Sequence, residues 1–546
     1  MKRLKLLLIA LAIINLFSSK IYAQLAPVDS VIEGNINSNA TLTSSKKYLL
    51  RGFVNVNPPA VLTIEPGTVI YGEKDSKGTL IINRGAKINA NGTKQRPIVF
   101  TSQQPVGQRG PGDWGGIIIA GKSSINVPGG TATLEGGTGT IYGGGSNPDD
   151  NDDSGILRYV RIEFPGIAYL PDNEINGLTL GGVGRNTTIE YVQVSYSGDD
   201  SFEWFGGNVN ARYLISFKAV DDDFDMDFGF RGNLQFGFAL RDPNIADISG
   251  SNGFETDNDG TGTFNSPRTL PVISNFTIVG PMPDTAFSNY NPNFKRGAHI
   301  RRAAQTSIYN SIVMGFPVGL LLDGAAVKNA AIGDTLQIRN SIWAGLRYGQ
   351  GITTNQSGFD VQSWFNSTSF ENRTYSQSSS VGLIDAFNLT NPVPVPATNS
   401  PAASGASFSN PRLSSFFTQT TYVGAFSPTE PRWDDGWTNY NPQYTNYATG
   451  VDEFDTFIKT FDLYQNYPNP FNPSTKISFT LSENGMTTLK IYNSLGQEIK
   501  TLLNSELEAG KIYNVDFDAS SLPSGIYYAQ LVQSNKSKVI KMVLAK

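Results

Sequence analysis

The feature of this sequence that most constrains its fold is an imperfect internal repeat of short alternating segments. Residues 62–70, LTIEPGTVI, recur as residues 80–88, LIINRGAKI, and residues 308–312, IYNSI, recur as residues 338–342, IRNSI. Each copy alternates apolar and other residues, which is the period of a half-buried strand, and turn residues follow it. One such unit cannot bury its own apolar face, so successive copies must stack on one another.

The spacing of the repeats narrows the choice of fold. Residues 157–162, LRYVRI, match residues 189–194, IEYVQV, so the period is irregular and runs from 18 to 32 residues. Units this short, with strands and no amphipathic helix, predict an all-β chain whose body, residues 24–390, is a right-handed parallel β-helix. An antiparallel sandwich or a propeller is the alternative. Propeller blades are longer, near 40 residues, and evenly spaced Asn-Gly or Asp-Gly hairpins are missing from the sequence.

The N-terminus predicts export. A basic segment, residues 1–5, precedes an apolar run at residues 6–17, and the sequence then reads IYAQ at residues 21–24. This is the pattern of a signal peptide, residues 1–23, cleaved between Ala23 and Gln24. The apolar run is too short to span a bilayer, which needs roughly 20 residues. We therefore expect no transmembrane segment in the mature chain.

Composition excludes several classes of site and partner. The chain has no cysteine, which excludes disulfides, thiolate metal sites and a cysteine nucleophile. Its single histidine, His299, excludes any site that needs two. A net charge of −5 gives no general attraction to nucleic acid, so we expect no nucleic-acid partner.

The repeat pattern ends near residue 390. Residues 391–396 read NPVPVP, and Ala, Ser and Asn follow, so we predict an irregular linker over residues 391–460. Within it, residues 421–426, TYVGAF, precede Trp433 and Trp437. We expect this aromatic part to form a cap on the open end of the solenoid, where strand edges would otherwise be unpaired.

The last segment, residues 461–546, has its own pattern. Three prolines at positions 468, 470 and 473 forbid helix and impose an extended entry. Alternating strands separated by turns follow, about seven in roughly 85 residues, which predicts a small C-terminal β-sandwich.

Four blocks of this tail carry a family resemblance: LYQNYPNPFNPSTKISFTL, IYNSLGQEI, LPSGIYYAQL and KVIKMVLAK. Together they resemble the type A C-terminal sorting domain of the type IX secretion system. The resemblance implies that the type IX secretion machinery is a partner and that the chain crosses the outer membrane of a Gram-negative bacterium. It also implies that the tail is then usually removed, with the body secreted or attached to the outer cell surface.

An acidic motif repeats in the middle of the body. Residues 199–203, DDSFE, are followed 22 residues later by residues 221–225, DDDFD, and residues 253–255, GFE, match the end of a third copy. If 22 residues make one rung, Glu203 lies under Asp225, about 4.8 Å away. Carboxylates so close repel one another, and a hard cation such as Ca²⁺ would relieve the repulsion.

A second pattern points to the same ion. Residues 255–260, ETDNDG, place oxygen ligands at alternate positions with glycine at the sixth, like the first half of a calcium loop, although the closing Glu is missing. Residues 149–154, DDNDDS, are a weaker candidate. The alternative is that Asp and Asn occupy rung corners because they hydrogen-bond turn backbone. The candidate metal ligands are Asp199, Asp200, Glu203, Asp221, Asp222, Asp225, Glu255, Asp257 and Asp259.

Enzymatic interpretations depend on short matches. The segment 221–225 resembles the calcium-ligand segment of family-nine polysaccharide lyases, which are also right-handed β-helices, with Asp221, Asp222 and Asp225 at the ligand positions. Such enzymes need a basic residue beside the metal; Arg231 is near in sequence but matches no family motif. The polygalacturonase pattern is incomplete, because only its Gly-Asp-Asp block is present. We expect His299 to be a rung residue and assign no catalytic residue.

Two further motifs have structural interpretations. Residues 116–123, GIIIAGKS, fit the phosphate-loop spacing, but their middle residues predict a strand, so we expect no nucleotide site. Trp114, Trp204 and Trp343 either stack on sugars of an extracellular polysaccharide or pack in the core, which is the commoner place for tryptophan. The sequence thus favours an exported, non-catalytic, calcium-stabilised β-helix for adhesion or glycan binding. The alternative is a calcium-dependent polysaccharide lyase.

Overall fold

The computed structural model describes residues 25–170, 173–347, 351–413, 415–447, 461–466, 469–509 and 512–545. The predicted signal peptide and its cleavage position, Ala23 and Gln24, lie outside these residues. No helix in the described ranges is both long and apolar enough to cross a membrane.

The body is a parallel β-helix, as the repeats predict. Twenty-six strands form one continuous sheet that winds through three stacks of parallel strands. These strands are Ser30–Ile36, Ala40–Leu42, Lys47–Val56, Val61–Ile64, Val69–Gly72, Thr79–Ile82, Lys87–Asn91, Ile98–Ser102, Gly116–Ala120, Gly155–Glu163, Leu178–Gly181, Thr188–Ser195, Phe202–Phe205, Ala211–Phe217, Phe224–Asp227, Asn233–Leu240, Asn252–Thr256, Val272–Val279, Arg296–Ile300, Ser307–Tyr309, Ile312–Met314, Val318–Leu322, Ile338–Arg339, Ile342–Ala344, Ile352–Thr354 and Arg373–Tyr375.

Short elements decorate the solenoid. Three hairpins pair Ala132–Thr133 with Ile141–Tyr142, Ala168–Leu170 with Asn173–Glu174, and Leu383–Asp385 with Val393–Pro396. In the described ranges the α-helices are Ala325–Ile332 and Val361–Phe365, and the 3₁₀ helices are Ser378–Val381, Pro401–Ala403 and Pro442–Tyr444.

Strand pairing shows which sequence repeats are rungs. Leu157 pairs with Ile189, and Ile308 pairs with Ile338, so these two repeats are successive rungs of one stack. The 18-residue repeat is different, because Leu62 pairs with Ile88 and not with Leu80. Its two copies belong to different stacks of the solenoid. The interpretation of 18 residues as one rung is therefore wrong.

In seven consecutive rungs the chain turns from the first stack into the second through one residue in the left-handed conformation. Tyr159, Tyr191, Tyr213 and Phe236 occupy this corner in four consecutive rungs, with φ between 49° and 62°. Their rings stack face to face, with centroids 4.4, 4.3 and 5.0 Å apart. Asn follows at the same corner in the next rungs, a residue that tolerates this conformation. Stacking along the solenoid thus accompanies a backbone conformation that aromatic residues seldom adopt.

The segment after the solenoid, residues 391–447, is called the strap. It lies lengthwise against the outer face of the second stack. At one end Arg373 of the last rung donates to Pro401 O, and at the other Arg109 Nη1 donates to Pro442 O, 2.8 Å away. Between them Trp437 packs edge-on against Tyr159 and Tyr191. This position differs from the predicted cap on the open end.

The reason lies in the side chains of the second stack. Alternate residues there, such as Leu214 and Trp343, fill the interior, while Ile215 and Ile342 form a separate apolar cluster outside. Phe426 and Trp437 of the strap belong to that outer cluster. The strap therefore buries apolar surface that the solenoid alone would expose.

The tail is a separate β-sandwich of seven strands, as predicted. One antiparallel sheet has three strands and the other four, and the two share one apolar core. The strands are Asp462–Leu463, Ser474–Thr480, Gly485–Asn493, Glu498–Leu507, Ile512–Asp518, Gly525–Gln533 and Lys536–Leu544.

Candidate metal centre

The third stack of the solenoid carries a column of ionisable side chains. Glu203, Asp225, Glu255 and His299 pair in parallel register in four successive strands. The preceding residues of the first three strands are phenylalanines that fill the interior, with ring centroids 5.4 and 5.6 Å apart. Because side chains alternate along a strand, the interior phenylalanines place the carboxylates on the outer face.

Four more carboxylates lie where the chain enters these strands. Asp199 and Asp200 precede one strand, and Asp221 and Asp222 precede the next. Together with the column they make three groups of carboxylates whose oxygen atoms lie within 4.8 Å of one another. The three triads are Asp199, Asp200 and Asp221; Asp200, Glu203 and Asp225; and Asp222, Asp225 and Glu255. They share members, so they form one continuous acidic ladder.

The ladder is mostly shielded from water. Asp200 and Glu203 are each 7% exposed and Asp222 is 4% exposed. Backbone amides fix two of these side chains: Asp222 N donates to Asp200 Oδ1 over 2.7 Å, and Asn252 N donates to Asp222 Oδ1 over 2.5 Å. The corner geometry thus holds the carboxylates in place.

Burial and mutual repulsion raise the pKa of the ladder. Burial first, and then the neighbouring carboxylates, raise the pKa of Asp200, Glu203 and Asp225 well above the usual range. The same two causes act on Asp199 and Asp222. A positive charge among these carboxylates would oppose both causes and favour their ionised forms.

Several oxygens of the ladder have no hydrogen-bond partner among the described residues. They are buried atoms: Asp221 Oδ1, Asp225 Oδ1 and Asn252 Oδ1. Asn252 is 1% exposed, and its Nδ2 lies 2.9 Å from Glu255 Oε2, so its amide belongs to the third triad. A buried acceptor without a donor costs about 1–3 kcal/mol, and a divalent cation satisfies several at once.

The downstream end of the ladder already has positive charge. His299 Nδ1 lies 3.2 Å from Glu255 Oε2, and Arg301 forms an ion pair with the same carboxylate. Hydrogen bonding to His299 and the charge of Arg301 outweigh burial and lower the pKa of Glu255. At this end of the ladder, basic side chains therefore neutralise the carboxylate charge, as a bound cation would do upstream.

The structure brings together seven of the nine predicted ligands, and Asp257 and Asp259 lie outside the triads. Asp257 is held by Arg301 over 2.9 Å and by Arg302 over 2.8 Å. The Asp259 carboxylate accepts from Thr261 and Thr263 within its own turn, and these hydrogen bonds lower its pKa. The half calcium loop at residues 255–260 therefore does not converge on one point.

The other sequence candidates are also placed. Residues 116–120 of the phosphate-loop match are a fully buried strand, as expected. Asp150, from the weaker acidic run, accepts from Ser123, Ser124 and Arg231, and these bonds lower its pKa. Arg231, the basic residue considered for catalysis, is thus paired with Asp150 and not with the ladder.

The tryptophans do not form a sugar platform. Trp114, Trp204 and Trp343 have no exposed surface, and Trp114 Nε1 donates to Glu163 O over 2.8 Å. Sugar contact is therefore excluded for these three rings, and core packing, the interpretation that the sequence favoured, is confirmed. An exposed apolar side chain near the ladder is instead Ile248, which is 88% exposed. Its neighbour Ser249 donates to Asp221 Oδ2 over 3.0 Å.

Sequence reasoning missed several residues of the site. Arg301 and Arg302 follow the strand that carries His299, and Asn176 precedes the strand Leu178–Gly181. Glu135 comes from a distant insertion. None belongs to a repeated motif. Arg301 pairs with Glu255 and Arg302 with Asp257, and Asn176 donates to both Glu135 and Glu203.

Comparisons with known proteins agree with this architecture. A family model described as a pectate-lyase like beta helix domain matches residues 34–382, more than half of the chain. A second model, a secretion system C-terminal sorting domain, matches residues 465–545. None of the curated proteins compared with the chain matches it.

Proposed function

The chain belongs to the pectate-lyase-like β-helix family, and from this premise we propose that it acts outside the cell as a calcium-stabilised, non-catalytic protein for adhesion or glycan binding. Its sorting domain makes it a secreted β-helix protein handled by the type IX secretion system. Attachment of the body to the outer cell surface is part of the proposal.

The observation that carries the proposal is the acidic ladder. Its triads contain buried carboxylates, and the unpartnered oxygens of Asp221 and Asp225 lie among them. Oxygen ligands of this kind favour a hard cation, and Ca²⁺ takes six to eight of them in flexible geometry. Binding to the folded state alone would stabilise the body by mass action.

The class of glycan follows from the coordination of the ion. Each triad has one or two partly exposed members, so a bound cation would face the surface on one side. Three carboxylates leave part of the Ca²⁺ coordination sphere to other oxygens. Carboxylates of an acidic polysaccharide are suited to fill it.

Melting curves test the calcium part. We expect a chelator to lower the melting temperature of the purified protein, and the Asp222→Ala variant to lose that response. Asp153→Asn is the matched control, because the Asp153 carboxylate lies at the surface, where it pairs with Lys87 and accepts from Gly155 N, outside the ladder. A wild-type melting temperature that is the same with and without chelator would contradict calcium stabilisation.

Retention on immobilised polysaccharides tests the glycan part. We expect Ca²⁺-dependent retention on an acidic polysaccharide and little on a neutral one. Asp225→Asn should weaken retention, and Asp153→Asn should not. Equal retention with calcium and with chelator would exclude bridging by the ion.

One observation favours the lyase as a second candidate. Arg296 pairs in register with Asn252 beside the third triad, and burial lowers its pKa. Arg301 is less suited to be a base, because its two carboxylate partners raise its pKa. If Arg296 removes a proton beside a cation-bound sugar carboxylate, acidic polysaccharides should yield unsaturated, ultraviolet-absorbing products. Arg296→Ala should stop their release; a wild-type protein without products across the panel would exclude this candidate.

A further inference from the structure

A glycine-rich insertion lies against the upstream end of the ladder. It follows the strand Gly116–Ala120 and contains the hairpin of Ala132–Thr133 with Ile141–Tyr142. Tyr142 packs against Phe205 of the third stack, with ring centroids 5.9 Å apart. Leu134 joins the same buried cluster. The hairpin thus packs through apolar side chains against the outer face of the solenoid.

The connection of this hairpin brings another carboxylate to the ladder. Asn176 Nδ2 donates to Glu135 Oε1 over 3.1 Å and also to Glu203 Oε2. One amide group therefore lies between a carboxylate of the hairpin and a carboxylate of the ladder. Gly136 makes the approach possible: it has φ +76°, and a Cβ there would meet Ile175 Cγ1 at 2.4 Å.

The Asn176 side chain supplies an independent sign of a ligand. It is 1% exposed, and its Oδ1 has no hydrogen-bond partner in the described part of the chain. A half-turn of the amide would direct this oxygen at Glu135 and Glu203, an orientation that a cation between the two carboxylates would favour. Two carboxylates and an amide oxygen are a ligand set for a hard cation.

The electrostatics agree with this geometry. Burial and the neighbouring Glu135 raise the pKa of Glu203, and burial raises the pKa of Glu135. Hydrogen bonds to Asn176 and Glu203 act against the rise at Glu135. An amide donor thus offsets only part of the repulsion, and a divalent charge would offset more.

We propose that Glu135, Asn176 and Glu203 form a further divalent-cation site, at which the hairpin 132–142 is a flap fastened over the upstream end of the ladder. This inference rests on the proposed binding of Ca²⁺ at the ladder. Because Glu203 also belongs to the second triad, an ion here extends the ladder by one site onto the insertion.

Hydrogen exchange of the full-length protein, measured with CaCl₂ and with chelator, tests the flap. In the wild type we expect Ca²⁺ to slow exchange of the hairpin amides by about tenfold or more. Glu135→Gln should lose this slowing but keep the calcium-dependent rise in melting temperature, because the triads remain intact. Asp153→Asn removes a charge from the same insertion and should behave like the wild type.

The outcomes separate the two proposals. If Ca²⁺ raises the melting temperature but does not slow the hairpin, or slows it equally in Glu135→Gln, the flap site is wrong. If Ca²⁺ slows the hairpin only when Glu135 is present, and the rise in melting temperature also disappears in Glu135→Gln, the flap site stands and calcium binding at the triads falls. If neither quantity responds, both proposals are wrong.

Discussion

Glu203 lies directly beneath Asp225 in the next rung of the third stack, with the two residues paired in parallel register. Each belongs to the same triad with Asp200, and each has a pKa raised by burial and by neighbouring carboxylates. Stacking like charges in adjacent rungs destabilises a sheet unless something neutralises them.

Stability in chelator should fall as pH rises. Burial, and then the charge of Asp257, raise the pKa of Asp227 to about 8, above the unfolded value near 4. The folded state therefore binds the extra proton, and the stability this gives is present at low pH and lost as pH rises through about 8. We expect the melting temperature in chelator to decrease from about pH 5 to about pH 8. Asp227→Asn should make the decrease smaller; an unchanged slope would contradict this assignment.

Removing Arg301 should make the protein depend more on calcium. Arg301 pairs with both Glu255 and Asp257, so Arg301→Gln should cost about 1–3 kcal/mol in chelator. Calcium should recover part of this loss, because Glu255 becomes available to its triad. Arg302→Gln is the control: Arg302 is 41% exposed and pairs only with Asp257, so its loss should cost less than about 1 kcal/mol. Equal calcium responses in both variants, measured by denaturant unfolding, would argue against the role of Arg301.

The ion pair of Arg241 and Asp223 should be essential to the body. Its atoms are 2.9 Å apart, and both side chains are completely buried. Arg241→Met leaves a buried carboxylate uncompensated and should cost about 3–5 kcal/mol. Adding Asp223→Leu should recover much of the loss, which a double-mutant cycle measures. A double variant no more stable than Arg241→Met would contradict this explanation.

The strap should unfold with the solenoid. Trp437 is 1% exposed and packs against the tyrosines of the corner column, so Trp437→Ala should cost about 3–5 kcal/mol. Ile384, which is 63% exposed, gives the control, since Ile384→Ala should change stability by less than about 0.5 kcal/mol. If the two variants are equally stable in denaturant, the strap is not part of the folded body.

The sequence predicted the fold and much of the ladder because both depend on local alternation. The 22-residue spacing of the phenylalanines places Phe202 under Phe224. Because side chains alternate along a strand, the carboxylates that follow them, Glu203 and Asp225, also pair on the opposite face. Local alternation is also the reason why the 18-residue repeat was wrongly interpreted as one rung. All three stacks share one alternating pattern, so Leu62 and Leu80 resemble each other although they lie on different faces, and Leu62 pairs with Ile88.

Contacts over long sequence distances could not be predicted. Glu135 accepts a hydrogen bond from Asn176, but it lies in a glycine-rich insertion whose sequence contains no repeat from which this contact could be predicted. Arg301 neutralises Glu255 from the next rung, 46 residues further on, because a long turn separates their strands. The strap was expected at the end of the solenoid, since sequence patterns do not show that the outer face of the second stack is also apolar.

Calcium binding measured by isothermal titration calorimetry is the most direct test of the ladder. Asp225 belongs to two of the three triads, and one of its oxygens has no hydrogen-bond partner in the described ranges. We expect saturable binding of Ca²⁺ to chelator-treated wild-type protein and to Asp153→Asn, and at least about tenfold weaker binding to Asp225→Asn. A wild-type protein without saturable binding, or an Asp225→Asn variant that binds as tightly, would contradict the ladder as a metal centre.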